Sequence, residues 1–168
     1  MITLAILPCR AQQTAQKPAQ AEVFAGYSYM RFDSRTIGFT DNSNMNGWNV
    51  GASYHLFKSL SVAADISGHY ASEIQLYNFL IGPQVAVPRG KMTYFGRFFF
   101  GKARDHVTPT GGDTSIGRSL LFGGGVDRTI TPHFAFRLVQ VDYVSTHTFA
   151  ANESNVRVST GLVYRFGR

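Results

Sequence analysis

The chain alternates between apolar and polar residues in eight separate segments, and this period of two constrains the fold more than any other feature. In the segment 46–57, Trp48 and Val50 share one face, while Asn49 and Gly51 share the other. Successive side chains of a β-strand point to opposite sides of the sheet, whereas a helix would require a period of 3.6. The pattern therefore predicts strands with one apolar and one polar face.

The eight segments are joined by connectors of two kinds. The segments are 22–32, 46–57, 60–70, 77–87, 92–103, 119–130, 134–146 and 156–166. Three connectors are short, at 57–60, 88–91 and 131–133, and a fourth short one at 71–74 departs from the alternation. Three are longer and rich in Gly, Asn, Asp, Ser and Thr, at 33–44, 104–118 and 146–154. Short turns at one rim and long loops at the other are typical of outer-membrane barrels. We predict an all-β fold, an eight-stranded antiparallel up-and-down transmembrane β-barrel over residues 21–168.

The character of the two faces decides whether such a barrel lies in water or in a membrane. The apolar faces carry aromatic residues near strand ends, as interfacial girdles do: Trp48, Tyr54, Tyr70, Tyr77, Tyr164 and Phe166. The opposite faces are rich in Gly, Ser and Asn, which suit the narrow interior of an eight-stranded barrel. We expect the apolar faces to contact outer-membrane lipid and the polar faces to line the lumen.

The predicted lumen faces carry charges of both signs, and an unpaired buried charge costs several kcal/mol. The candidates for lumen ion pairs are Glu22, Asp65, Asp127, Asp142, Arg97, Arg157 and Arg165. Antiparallel pairing places Glu22 level with Arg165 on the first and last strands, so we expect these two side chains to meet. Asp142 and Arg157 come level on the last two strands, and we expect a second contact there. Strict alternation places Arg137 on the apolar face, which requires either a position at the membrane edge or a β-bulge.

Composition excludes several other classes of protein. The 168 residues carry a formal net charge of +6, but the lysines and arginines are scattered, so we expect no nucleic-acid partner. No run of about 18 apolar residues occurs, which argues against a transmembrane helix. Residues 1–20 are interpreted as a signal-peptide remnant and flexible leader, with small residues at Cys9 and Ala11 around a cleavage site. Cys9 is the only cysteine, so no internal disulfide can form.

From residue 21 to its end, the chain resembles the small outer-membrane barrels of the OmpA and opacity-protein type. The resemblance rests on four stretches: Glu22-Val-Phe-Ala-Gly-Tyr-Ser-Tyr29, Phe122-Gly-Gly-Gly-Val-Asp127, Gln140-Val-Asp-Tyr143 and Gly161-Leu-Val-Tyr-Arg-Phe166. The resemblance implies a monomeric integral protein of a bacterial outer membrane. It also implies that the final strand, with Phe166 near its end, is read by the barrel-insertion machinery. The resemblance covers the barrel domain of the family and not its peptidoglycan-binding domain.

The sequence favours a structural or surface-binding role, whether or not the lumen forms a narrow pore, over catalysis. We expect no cofactor and no metal, since the five histidines show no ligand spacing, and His55 and His69 are interpreted as hydrogen-bonded lumen residues. Ser145 and His147 share a face, which leaves a barrel lipid-A hydrolase as a remote alternative. A soluble lipocalin-like carrier with an apolar cavity is the main alternative. The connectors 33–44 and 104–118 are where a ligand or a cell surface would make contact, although plain solvated loops are the favoured interpretation of both.

Overall fold

The computed structural model describes residues 19–32, 43–70, 74–107, 114–148 and 151–167, and these ranges form eight strands. The strands are β1 (Ala21–Phe32), β2 (Ser43–Phe57), β3 (Leu60–Tyr70), β4 (Ile74–Arg89), β5 (Met92–Val107), β6 (Thr114–Thr129), β7 (Phe134–Thr148) and β8 (Ala151–Phe166). Each strand pairs with its neighbour in sequence, and β1 pairs with β8, so the sheet closes. All eight pairings are antiparallel. The predicted all-β, eight-stranded antiparallel barrel is confirmed.

The strands extend beyond the predicted segments, mainly at the end that carries the long connectors. β6 begins at Thr114 rather than 119, and β8 begins at Ala151 rather than 156. Alternation weakens in these extensions because both faces of a strand can be polar once it leaves the apolar zone. The backbone ladder continues all the same, since each strand still has a neighbour with which to exchange hydrogen bonds.

The two rims of the barrel differ. One rim carries the short turns and both ends of the described chain, and we call it the turn side. There β4 and β5 are joined through Gly90, whose φ of 61° is easily adopted only by glycine. The opposite rim, the loop side, carries the connectors at 33–42, 71–73, 108–113 and 149–150. These connectors and the leader at 1–18 lie outside the described residues.

Apolar side chains cover the outside of the barrel, and polar side chains fill much of the inside. Val50, Ile66 and Val141 are each at least 40% exposed, although they lie at mid-strand. Asp65 and Arg157, by contrast, have no exposed surface. A soluble carrier requires the reverse arrangement, so the lipocalin-like alternative is wrong. Among the described residues, no helix is long and apolar enough to cross a membrane.

Candidate functional site in the lumen

Four charged side chains from four strands meet at the centre of the lumen, and we call them the lumen tetrad: Asp65 (β3), Arg97 (β5), Asp142 (β7) and Arg157 (β8). Arg97 donates from Nε to Asp142 Oδ1 at 2.9 Å and from Nη2 to Asp142 Oδ2 at 2.7 Å. Its Nη1 lies 3.3 Å from Asp65 Oδ2. Arg157 donates from Nη1 to Asp65 Oδ1 at 2.8 Å and from Nε to Asp142 Oδ2 at 3.1 Å. Each carboxylate therefore contacts both guanidinium groups, and the four formal charges cancel.

The tetrad connects strands that are not neighbours in the sheet. Asp65 on β3 and Arg157 on β8 are separated by β1 and β2 in the strand order, so their contact crosses the lumen. Amide side chains donate to the remaining carboxylate lone pairs, Asn49 Nδ2 to Asp65 Oδ2 at 2.9 Å and Gln140 Nε2 to Asp142 Oδ2 at 2.8 Å. Buried charges of this kind are tolerated when they are both paired and hydrogen-bonded.

A glycine makes room for the tetrad. Gly123 on β6 is the register partner of Arg97 on one side and of Asp142 on the other. A Cβ at Gly123 would lie 2.3 Å from Asp142 Oδ1 and 2.4 Å from the carbonyl oxygen of Val141. The missing side chain therefore lets the Arg97–Asp142 pair pass over β6, and this close approach explains one glycine of the run 123–125.

We expect Gly123→Ala to destabilise the barrel by about 1–3 kcal/mol, the usual cost of overpacking, because the new methyl group displaces Asp142 or its backbone. Gly96→Ala is the matched control. Gly96 lies on β5 next to Arg97 but faces outward, and the nearest atom to its added Cβ is 3.9 Å away. Equilibrium unfolding in urea measures both variants. Equal stability of the two would contradict this role for Gly123.

A second ion pair lies beside the tetrad, toward the turn side. Arg137 donates from Nε to Asp127 Oδ1 at 2.7 Å and from Nη2 to Oδ2 at 3.0 Å. Its guanidinium group lies between the rings of Phe24 and Phe95, 4.3 and 4.1 Å from their centroids, an arrangement in which cation–π attraction adds to the ion pair. Arg137 also donates to Gln140, which links this pair to Asp142 of the tetrad.

The buried position of Arg137 differs from the outward, apolar face on which strict alternation places this residue. The pairing of β7 with β8 shifts between Arg137 and Gln140, and that of β6 with β7 shifts at Asp127. As a result the consecutive residues Leu138 and Val139 both face outward, at 42% and 41% exposure, while Arg137 is buried. Of the two alternatives, a membrane-edge position or a β-bulge, the structure shows the bulge. The partner of Asp127 is thus Arg137, which was not among the predicted lumen charges.

A third ion pair lies at the turn-side mouth of the lumen. Glu22 and Arg165 are register partners on β1 and β8, and Arg165 donates from Nε to Glu22 Oε1 at 2.8 Å. Arg165 also donates to Thr129 Oγ1 at 2.8 Å. Both charged residues line a cavity of about 310 Å³ that reaches His55 and Lys58 and opens toward the short turns.

At the level of the tetrad and toward the loop side, part of the lumen is occupied by apolar side chains that we call the apolar plug. Most of its members lie near the loop-side ends of their strands; Met30 and Met45, for example, are register partners at the ends of β1 and β2. The plug consists of Met30, Met45, Ala63, Leu76, Leu80, Phe99, Ala103, Leu121 and Val144, all buried. These buried side chains occupy lumen space toward the end opposite the cavity.

Among the described side chains, His69 shows no catalytic arrangement, and the Ser145–His147 pair lies partly outside the described residues. His69 is buried, and its Nε2 lies 2.9 Å from Ser28 Oγ, which in turn accepts from Ser159 at 3.1 Å. Its Nδ1 has no partner among the described side chains, so no acid orients the ring. Ser145 is half-buried on the outer face, and the side chain of His147 lies outside the described residues.

The six aromatic residues named as girdle candidates fall into two groups on the outside of the barrel. Trp48, Tyr70 and Tyr77 lie toward the loop side and form a chain in which Trp48 Nε1 donates to Tyr70 OH at 3.3 Å and the two phenols lie 3.2 Å apart. Tyr54, Tyr164 and Phe166 lie at the turn side, where the rings of Tyr164 and Phe166 pack edge to face.

Comparison with known proteins identifies the fold. No protein-family model and no curated protein sequence matches the chain. Among solved structures, Neisserial surface protein A is 14% identical with a TM-score of 0.71, over 88% of this chain and 98% of that one. Ail of Yersinia pestis is 18% identical with a TM-score of 0.58, over 89% and 99%. OprG of Pseudomonas aeruginosa is 11% identical with a TM-score of 0.54, over 90% and 97%. With its apolar residues outside and its charges inside, the chain has the fold of these small outer-membrane barrels.

Proposed function

We propose that this protein is a closed outer-membrane barrel with a structural or surface-binding role, and that it neither catalyses a reaction nor conducts ions freely. The single observation that carries the proposal is the lumen tetrad, whose contacts cross the barrel from β3 to β8 and from β5 to β7. Strands that are tied together through the lumen leave little room for permeation. The apolar plug supports the same conclusion, since its buried side chains occupy further space in the lumen.

The binding role is assigned to the loop side. The strands are committed to lipid on one face and to the filled lumen on the other, so a soluble partner can reach the protein only at its rims. The connectors within 33–44 and 104–118 are the longest, and they supply polar residues for such contacts. One neighbour in fold, Ail of Yersinia pestis, has been solved in complex with the heparin analogue sucrose octasulfate. That complex is a precedent for a binding role on this fold.

We extend the proposal to the lipid contact, the insertion machinery and the oligomeric state. The outward apolar residues contact outer-membrane lipid, with the two aromatic groups as interfacial girdles. β8, which pairs with β1 to close the barrel and ends at Phe166, is the strand presented to the barrel-insertion machinery. The functional unit is the monomer, because one chain closes the sheet and leaves no unpaired edge.

Reconstitution into planar lipid bilayers tests the closed lumen. We expect the wild-type barrel to give no steady open-channel current, because the tetrad and the plug together obstruct the lumen. Insertion is verified separately by flotation of the same preparation with lipid vesicles. Steady, ohmic single-channel openings from correctly folded wild-type protein would contradict the proposal.

A further inference from the structure

Three cations lie together on the outer wall of the barrel at its loop-side end. Lys102 and Arg104 on β5 and Arg118 on β6 are all exposed. Lys102 and Arg118 are register partners, so they stand directly opposite each other on adjacent strands, and Arg104 is two residues farther along the same face. We call these three residues the wall patch.

The wall patch has no acidic neighbour among the described side chains of its face. β4 presents Tyr77 and Phe79, the register partners of Arg104 and Lys102. Toward the middle of the barrel, the next outward residues are Phe100 and Leu120, both exposed and apolar. Like charges directly opposite each other on a sheet are destabilising, so this arrangement favours the binding of an anion from outside the protein.

The location of the wall patch indicates which anion. Phe79, Phe100 and Leu120 belong to the apolar belt, and the cations begin where that belt ends on the loop side. Outer-membrane barrels place their long loops outside the cell, so this is the headgroup level of the outer leaflet. Lys and Arg side chains at such a boundary lay their methylene stems on apolar surface and extend their charges to the headgroups.

We propose that the wall patch binds the phosphate groups of a bisphosphorylated glycolipid of the outer leaflet, of the lipid A type. Two opposed cations and a third beside them match a headgroup that carries more than one phosphate, and Arg118 and Arg104 can hold phosphate oxygens in a bidentate manner. The acyl chains of the same lipid would lie along Phe79, Phe100 and Leu120. The proposal rests on the assigned membrane orientation and extends the lipid contact to a specific lipid.

The test compares two triple variants of the full chain, folded in a neutral maltoside detergent. K102Q/R104Q/R118Q removes the wall patch, and K58Q/R89Q/R128Q removes the same number of cations at the turn side, where all three residues are exposed. Each protein is titrated with mixed micelles of bisphosphorylated lipid A, dephosphorylated lipid A with the same acyl chains, or phosphatidylglycerol. Native mass spectrometry gives the apparent Kd, and heat-modifiable gel migration verifies folding. If the wall-patch variant fails to fold, the single variants K102Q and R118Q replace it.

We expect the wall-patch variant to bind bisphosphorylated lipid A about 100-fold more weakly than wild type, since each basic side chain near an anionic surface contributes roughly fivefold. The turn-side variant should bind like wild type, and added salt should weaken wild-type binding. Equal binding by the two triple variants, or of the phosphorylated and dephosphorylated lipids, would overturn the proposal. Equally tight binding of phosphatidylglycerol would overturn the assignment to the glycolipid. The conductance experiment tests the closed lumen separately. A failure of specific lipid binding would therefore overturn this inference and leave the proposed function standing.

Discussion

Asp142→Asn is expected to lower the free energy of unfolding by about 3–5 kcal/mol, the range found when one partner of a buried ion pair is removed. Asp142 accepts hydrogen bonds from Arg97, Arg157 and Gln140. Its neutralisation leaves two buried guanidinium groups to share Asp65. The measurement is equilibrium unfolding in urea of the barrel in phospholipid vesicles, followed by gel migration of the folded form.

Two further variants give this prediction its controls. Glu22→Gln breaks the ion pair with Arg165 at the mouth, but the Glu22 side chain is 25% exposed, so water compensates part of the loss. We expect a cost of about 1 kcal/mol there, near that of an exposed pair. The double variant D142N/R97Q restores neutrality in the tetrad and should recover part of the stability lost in D142N. A cost for D142N no larger than that for E22Q would show that the tetrad is not a buried network.

Val141→Arg is expected to destabilise the barrel by about 2–4 kcal/mol, the cost of an arginine on the lipid face near the bilayer midplane. Val141 is 47% exposed on the outside of β7, at the middle of the strand. In a water-soluble protein, the same exposed position would accept arginine with little change. The cost of Val141→Arg therefore distinguishes a barrel surrounded by lipid from one surrounded by water.

The matched control is Val87→Arg near the turn-side end of β4, where Val87 is 42% exposed. Close to the interface the arginine can reach the headgroups, so the cost should fall to about 0–1 kcal/mol. Val141→Ala separates the loss of the valine side chain from the gain of charge. Equal stabilities of V141R and V87R in vesicles would contradict a lipid-facing surface.

The architecture could be predicted from the sequence because alternation with a period of two shows which residues lie on each face of a strand. The alternation placed four charged residues on the polar faces of their segments, and all four are buried in the lumen: Asp65, Arg97, Asp142 and Arg157. Neighbouring-strand register also follows from the order of segments, which is why Glu22 could be set level with Arg165. The contacts that cross the lumen could not be obtained this way, since sequence order specifies sheet neighbours and not the side chains that meet across an interior.

Two other features could not be settled from the sequence pattern or were missed in it. The β-bulge at Arg137 was one of two alternatives, and neither Leu138 nor Val139 beside it is a glycine or proline that would have selected the bulge. The apolar plug could have been predicted in part, because Met30 is two residues from Ser28 on the same strand and therefore faces the lumen with it. Large apolar residues at lumen positions indicate a filled interior, and that pattern can be searched for in other small barrels.

Trp48 makes it possible to test the inverted placement of the two faces without any substitution. It is the only tryptophan of the chain, is 39% exposed, and lies on the outer wall toward the loop side. Its fluorescence should be quenched by phospholipids brominated on their acyl chains, more strongly when the bromine lies near the headgroup than at mid-chain. Iodide in the aqueous phase should quench it weakly. Strong quenching by iodide together with none by either brominated lipid would mean that this face meets water, and that the barrel does not sit in a membrane as described.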